Sequence, residues 1–274
     1  MKELLFLEDT LNLAGAELVR RFGQSNNPRS KSDFSLVTDA DFASEKIILN
    51  CLARYYPDDA VISEEAGQLR VDRTPGKHVW VVDPLDGTTN FANEFPFFCI
   101  SIARCRFTPT GTMEVVEGGI RDPLRDKTYI ASQGQGAACN GKPVKVKIKR
   151  DLGQSLLVTG LYYPKGAYLD SEIKRLHNVA EVCSSIRRDG SAALDLALVS
   201  AGIYDAFWQR GLAIWDVAAG SLLVQEAGGL VRNYPTAKTS SLENSPSSLF
   251  YNIEGDGIVA GSSAAADDIF RLIV

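Results

Sequence analysis

The run Val79-Trp80-Val81-Val82-Asp83-Pro84-Leu85-Asp86-Gly87-Thr88-Thr89-Asn90 constrains this chain more than any other segment. Its four leading apolar residues predict a buried strand, which delivers two carboxylates, three positions apart, into a bend made by Pro84 and Gly87. Carboxylates crowded this closely repel each other, so a positive charge belongs between them. A divalent cation is the usual answer, and hard cations take oxygen ligands. The threonines and the amide that follow add hydroxyls and backbone N–H groups suited to an anion. The segment reads as a metal-binding strand end.

Two more acidic positions occupy comparable places. Glu64-Glu65 follows the predicted strand Ala60–Ile62, and Asp216 follows Trp215 at the start of a predicted helix over 216–227. Strand ends and helix starts are where the site groups of layered α/β folds collect. Singly, each has a bland reading: a helix N-cap for Asp216, a solvated pair for Glu64-Glu65, a turn residue before proline for Asp83. Together, Glu64, Asp83, Asp86 and Asp216 supply four carboxylates, and the Leu85 carbonyl adds a fifth oxygen. Such a set suits a pair of hard cations about 4 Å apart, which clamp the attacking and leaving oxygens of a phosphoryl transfer. The amides of Gly87 and Thr88, opening a helix, would meet phosphate oxygens. The Thr88 hydroxyl would orient water, with Asp41 as its partner.

Other phosphate chemistries fit the string poorly. Asp-x-Asp-x-Thr, the pattern of aspartyl-nucleophile phosphatases, needs a spacing of two where Asp83 and Asp86 have three; Asp39-Ala40-Asp41 has the spacing but runs on into Phe42-Ala43. No cysteine is followed by five residues and an arginine, and His78 and His177 are the only histidines. Gly134-Gln135-Gly136 is too short for a dinucleotide fingerprint and reads as a turn. The net charge of −5 argues against nucleic acid as the main partner, and the run Lys142–Arg150 reads as a solvated edge strand. The five cysteines are odd in number and lack Cys-x-x-Cys spacing, so neither a disulfide framework nor structural zinc is expected. The apolar stretch Leu4–Leu7 is too short for a signal peptide or a membrane span, which makes a cytoplasmic protein the expectation.

Along the chain, Leu4, Leu7, Leu11, Ala14, Leu18 and Phe22 predict an amphipathic helix closed by Gly23. A polar loop over 24–35 follows. Thr38–Asp41 has capping-box character before a helix with Phe42, Ile47, Ile48, Cys51 and Leu52 turned inward. Strands are predicted at 60–62, 79–82, 97–107, 113–120 and 128–131, with a hairpin turn at Asn140-Gly141 and an edge strand over 142–149. Beyond residue 150 the rhythm changes. Strands at 156–158, 204–208, 230–231 and 258–259 alternate with helices at 170–184, 191–201, 216–227 and the C-terminus. The Ser/Thr-rich stretch 236–246 reads as a surface loop. A division into 1–150, carrying most metal ligands, and 151–274, completing the site, is expected.

The segments Val37–Asp41, Ile62–Glu65, Asp83–Phe91, Gly190–Ala193, and Trp215–Gly220 with Glu226–Gly229 occur in an order that resembles the inositol monophosphatase family of magnesium-dependent, lithium-sensitive phosphatases. The resemblance covers nearly the whole chain. It implies an α/β fold built as an alternating αβαβα sandwich of the inositol monophosphatase and fructose-bisphosphatase type, and a homodimer. It implies two or three magnesium ions: one on Glu64, Asp83 and the Leu85 carbonyl, a second on Asp83, Asp86 and Asp216, and a third shared by Glu64 through water. Glu64, Asp41 and Thr88 would be catalytic, and Asp86, Gly87, Thr88, Ala192, Gln209 and Asp216 would contact substrate. Lys31 matches a basic residue on a loop near the metals. The expected reaction is hydrolysis of a phosphate monoester of a polyol or sugar by metal-activated water, inositol 1-phosphate first among substrates. Gln209 and Asp189 depart from the family pattern on the alcohol side, and Asp189 keeps histidinol phosphate or another cationic amino-alcohol phosphate open, since it could pair with an ammonium. Other sugar or nucleotide phosphates, and a non-catalytic interaction protein, are the remaining alternatives. Neither nucleic acid nor membrane is expected as a partner.

Overall fold

The computed structural model describes residues 2–30, 36–148, 151–161, 166–234 and 251–274. Lys31 with the rest of 31–35 in the loop over 24–35, the end of the basic run at 149–150 and the stretch 236–246 lie outside them. The first helix, α1 (Lys2–Arg21), buries Leu7, Leu11, Ala14 and Leu18 completely, and Gly23 takes a positive φ of 74° just past its end. Full burial of each leucine contributes about 2 kcal/mol. β1 (Arg29–Ser30) and β2 (Leu36–Val37) form a two-stranded pair leading into α2 (Asp39–Tyr55).

The predicted capping box opens α2: Thr38 is the N-cap, its hydroxyl accepts from the Ala40 N–H, and Asp41 accepts from the Thr38 N–H at 2.7 Å. Its inward face differs from expectation. Asp41, Ser44, Glu45, Ile48 and Leu52 are buried, whereas Phe42 is 43% exposed with the Arg29 guanidinium over its ring. Position 42 falls off the 41–44–45–48–52 stripe, so its apolar character was a misleading guide.

An eight-stranded sheet follows from β3 (Ala60–Ser63), β4 (Gly67–Leu69), β5 (His78–Asp86), β6 (Cys99–Phe107), β7 (Met113–Asp122), β8 (Lys127–Ser132), β9 (Ala137–Cys139) and β10 (Lys142–Pro143). Its order is β10-β9-β8-β7-β6-β5-β3-β4, antiparallel except between β3 and β5. Asn140 and Gly141, both at positive φ, make the two-residue turn between β9 and β10. Among the described residues the expected edge strand over 142–149 shrinks to two paired residues. Beyond them Val144 and Val146 still pack inward, but each gives its N–H to a different backbone, Ala137 and Ala227, so no single ladder forms. The turn Gly134–Gly136 is held by Glu226, whose two carboxylate oxygens accept from both glycine N–H groups at 2.8 and 2.7 Å.

The short α3 (Thr88–Ala92) sits between β5 and β6. The second sheet comprises β11 (Leu156–Thr159), β12 (Ser185–Arg187), β13 (Ala206–Arg210), β14 (Leu230–Asn233) and β15 (Gly257–Gly261), in the order β12-β11-β13-β15-β14. Its helices are α4 (Ala167–Ala180), α5 (Ala192–Ser200), α6 (Ile214–Glu226) and α7 (Ser263–Ile273). β4 and β12 were not anticipated. Both are three-residue edge strands without a buried side chain, so neither leaves an apolar signal.

Three buried clusters define five layers. α1 and α2 cover one face of the first sheet, α5 and α6 fill the space between the two sheets, and α4 and α7 cover the far face of the second. β5 shows the reason for the central layer. Trp80 and Val82 join the core under α1 and α2, Val79 and Val81 the core facing α5 and α6, so an unbroken apolar run is buried on both sides. The α5–α6 contact is close because α6 carries Gly220, where an added Cβ would lie 2.6 Å from the Leu196 Cβ. We expect Gly220→Ala to destabilise the fold by about 1–3 kcal/mol through overpacking, measured as a lower denaturant midpoint at unchanged slope.

Candidate active site

On a regular strand, residues three apart point to opposite faces. Asp83 pairs with Ser101 and Asp86 with Cys99, so three steps on β5 match two on β6. This one-residue bulge turns both carboxylates toward the face covered by α5 and α6. Leu85 is left on the other face, in the core under α2. Gly87 then takes φ 94° and ψ 33° to open α3, and a Cβ there would lie 3.1 Å from the Phe97 carbonyl.

Asp216 arrives from α6. It occupies the third helical position, not the N-cap, which is Ala213; its Oδ2 accepts from the Ala213 N–H at 2.8 Å. One carboxylate oxygen each from Asp83, Asp86 and Asp216 lie within 4.8 Å of one another. Glu64 stands outside this triad but close enough that its charge acts on both Asp83 and Asp86.

The electrostatics follow from burial. Asp83 is held well above the ordinary carboxylate range, first by desolvation and then by the negative charges of Glu64, Asp86 and Asp216. Burial pushes Asp86 up to about 6, against hydrogen bonds from Ser191 and from the Ala193 and Leu194 backbone that favour its charge. Asp41 is also raised by burial, opposed by bonds from Thr38 and Thr88. The donor set is all oxygen and the leading charges on Asp83 are all negative, so the cluster suits one or more hard divalent cations.

Around this centre the Thr88 hydroxyl lies 2.9 Å from Asp41 Oδ1 and 3.0 Å from the Leu85 carbonyl, which joins the Asp41 end of α2 to the strand end of β5. The structure therefore brings Asp41, Thr88, Leu85, Asp83, Asp86 and Asp216 together. Ala192 is the first residue of α5, directly beyond the Ser191 that bonds Asp86. Gln209 lies on β13 with its amide against Gly160. At Asp189 the Tyr204 hydroxyl donates to Oδ2.

Several supporting residues escaped the sequence reading. Glu45 Oε1 accepts from the Ser63 hydroxyl at 2.5 Å and from the Glu65 and Ala66 N–H groups, which holds the turn carrying Glu64. The Ser44 hydroxyl donates to the Pro84 carbonyl at 2.7 Å, and Ser101 to the Trp215 carbonyl at 3.1 Å. Ser44 and Glu45 had a readable signal: polar residues on the stripe that also carries Ile48 and Leu52.

The model of the inositol monophosphatase family matches residues 2–271. The chain belongs to the inositol monophosphatase family. Among curated relatives, the Nus factor SuhB of Pseudomonas aeruginosa is 42% identical over 212 residues, 77% of this chain and 76% of the relative. The inositol-1-monophosphatase of Synechocystis is 39% identical over 223 residues, 81% and 75% of the two chains. Among solved structures, the extragenic suppressor protein suhB from Bartonella henselae superimposes with a TM-score of 0.86 at 33% identity, covering 100% of this chain and 98% of that one. An inositol monophosphate-bound SaIMPase-II gives 0.74 at 26%, covering 99% and 93%. The layered α/β sandwich expected from the sequence is thus the fold of the family. No helix among the described residues is long and apolar enough to cross a membrane.

The raised carboxyls fix a sign for stability. Asp83 and Asp86 hold protons in the native state that the unfolded chain has lost, so in metal-free protein folding stability falls as pH rises from about 4 through 6. We expect Asp83→Asn to melt higher than the parent at pH 7 in a chelator, with the gap closing toward pH 4. Magnesium should reverse that order by stabilising the parent alone. Scanning calorimetry at both pH values, with and without the ion, reads both effects.

Proposed function

We propose that this chain is a magnesium-dependent phosphatase that hydrolyses the phosphate monoester of a small polyol or sugar, inositol 1-phosphate being the first candidate. The observation that carries this reading is the three-carboxylate cluster of Asp83, Asp86 and Asp216, flanked by Glu64 and standing next to the Thr88–Asp41 hydrogen bond. Glu64, Asp83 and the Leu85 carbonyl would hold one magnesium ion, and Asp83, Asp86 and Asp216 a second. When bound, such ions supply Lewis acidity toward the phosphate oxygens and acidify water.

The chain's own residues do the rest. The substrate phosphate lies over the start of α3, where the first N–H groups of a helix lack internal acceptors, with Gly87 and Thr88 as donors. Thr88 has one hydroxyl proton and directs it to Asp41, which leaves its oxygen able to accept from the attacking water. As the water oxygen bonds to phosphorus and the ester P–O bond breaks, the water proton passes to Thr88 and the Thr88 proton to Asp41. The leaving alkoxide takes a proton from solvent, giving an alcohol and inorganic phosphate. Asp41 is suited to accept, because its burial already favours the protonated form. Ala192 and Gln209 would face the alcohol, Asp86 and Asp216 its hydroxyls, and a homodimer is expected.

A second reading comes from relatives named Nus factor SuhB: an interaction protein on the same fold. The presence of all four acidic residues favours hydrolysis, since a chain without that duty has no reason to bear the cost of crowding them around the buried Asp83.

Phosphate release from a panel of inositol, sugar, nucleotide and amino-alcohol phosphates, with and without magnesium and lithium, tests the proposal. We expect magnesium-dependent turnover inhibited by lithium, with Asp83→Asn about a hundred-fold or more slower. Absence of turnover on every ester would leave the interaction reading standing.

A further inference from the structure

Asn90 lies outside the expected set of site residues, yet its side chain joins two parts of the chain that meet at the cluster. Its Nδ2 lies 2.7 Å from the Phe97 carbonyl and 2.8 Å from the Asp189 carbonyl. An amide nitrogen carries two protons, so it donates to both at once. The first bond ties α3 to the segment entering β6; the second ties α3 to the residue three before α5.

Next to that contact the Asn90 side chain leaves little room. Gly190 has φ 87°, and a Cβ there would lie 3.2 Å from Asn90 Nδ2. Immediately beyond, Ser191 is the N-cap of α5 but does not cap its own helix. Its hydroxyl donates instead to Asp86 Oδ2 at 2.7 Å, and the Ala193 N–H donates to the same oxygen at 2.7 Å. Asp86, from a distant strand, therefore serves as the cap of α5. That engagement turns one oxygen of Asp86, a member of the cluster, to the helix.

We infer that Asn90 is a positioning residue for the metal centre: it clamps the Asp189–Gly190 turn, and through it the N-terminus of α5, against Asp86. The inference rests on the reading of Asp86 as a magnesium ligand. Only asparagine meets the requirement at this length, because aspartate has no donor, serine has one, and glutamine is a methylene too long. Loss of the clamp leaves Asp86 in place but frees the helix end that orients it.

Isothermal titration of magnesium into the full chain, without substrate, tests this. Asn90→Ala is expected to weaken magnesium binding about ten- to a hundred-fold, the range for residues that orient metal ligands. Gly190→Ala strains the same contact from its other side and is expected to shift binding in the same direction. It also keeps the test open should Asn90→Ala fail to fold. Asn93→Ala is the control. Asn93 donates to the Thr89 carbonyl at 2.8 Å within the same helical turn and does not touch Asp189, so its binding isotherm should match the parent. Isotherms of Asn90→Ala and Gly190→Ala that superimpose on the parent overturn the inference. So does an equal loss in Asn93→Ala, which would mean that general loosening of α3 suffices. Because the readout is binding, a parent that binds magnesium but releases no phosphate counts against the proposed reaction and leaves this test intact.

Discussion

The mutual repulsion of buried carboxylates is the constraint around which this molecule is arranged. Asp83 is 1% exposed and faces Asp86, Asp216 and the charge of Glu64. Left alone, such a cluster opposes folding whenever it is ionised. The fold tolerates it because the groups come from three places in the chain, each anchored by its own packing: Asp83 and Asp86 on the interior strand β5, Asp216 on α6, Glu64 after β3. The β5 bulge is the decisive local device, since without it Asp83 and Asp86 would lie on opposite faces of the sheet.

The three clustered aspartates share one arrangement. In each, an oxygen accepts from backbone N–H: Asp83 from Leu85, Asp86 from Ala193 and Asp216 from Ala213. These bonds set the direction of the second oxygen of each carboxylate. They also lessen the cost of ionisation without cancelling the charge, so the cluster stays suited to a cation. A further circle of side chains works on backbone rather than on the cluster. Glu45 holds the Glu64 turn, Ser44 the Pro84 carbonyl, Ser101 the Trp215 carbonyl, and Asn90 the lead-in to α5. Their combined effect is to hold loops from residues 63 to 216 in one place.

Much of this was legible in the chain. The step of three and four from Leu7 to Leu18 specified α1, Thr38–Asp41 specified the start of α2, and Asn140-Gly141 specified a tight hairpin. The acidic residues were readable as a set because each sits beside a strand or helix signal. Harder to read were features in which pattern and environment part company. Phe42 is apolar and exposed, whereas Ser44 and Glu45 are polar and buried, because the start of α2 faces a polar site and not the core. Val144 and Val146 alternate like a strand, yet their N–H groups reach two different partners.

The amino-acid sequence by itself determined most of the longer elements and which side chains carry oxygen donors, because periodicity, caps and turn residues act over a few neighbouring positions. Tertiary structure alone decided that Asp216 meets Asp83 across the α6 layer, that Asp86 caps α5, that Asp189 gives an oxygen to Tyr204, and that Asn90 bridges residues 97 and 189. Those contacts span up to 133 positions between Asp83 and Asp216. They arise from sheet register and the packing of α5 and α6 between two sheets, and no short stretch of chain encodes either.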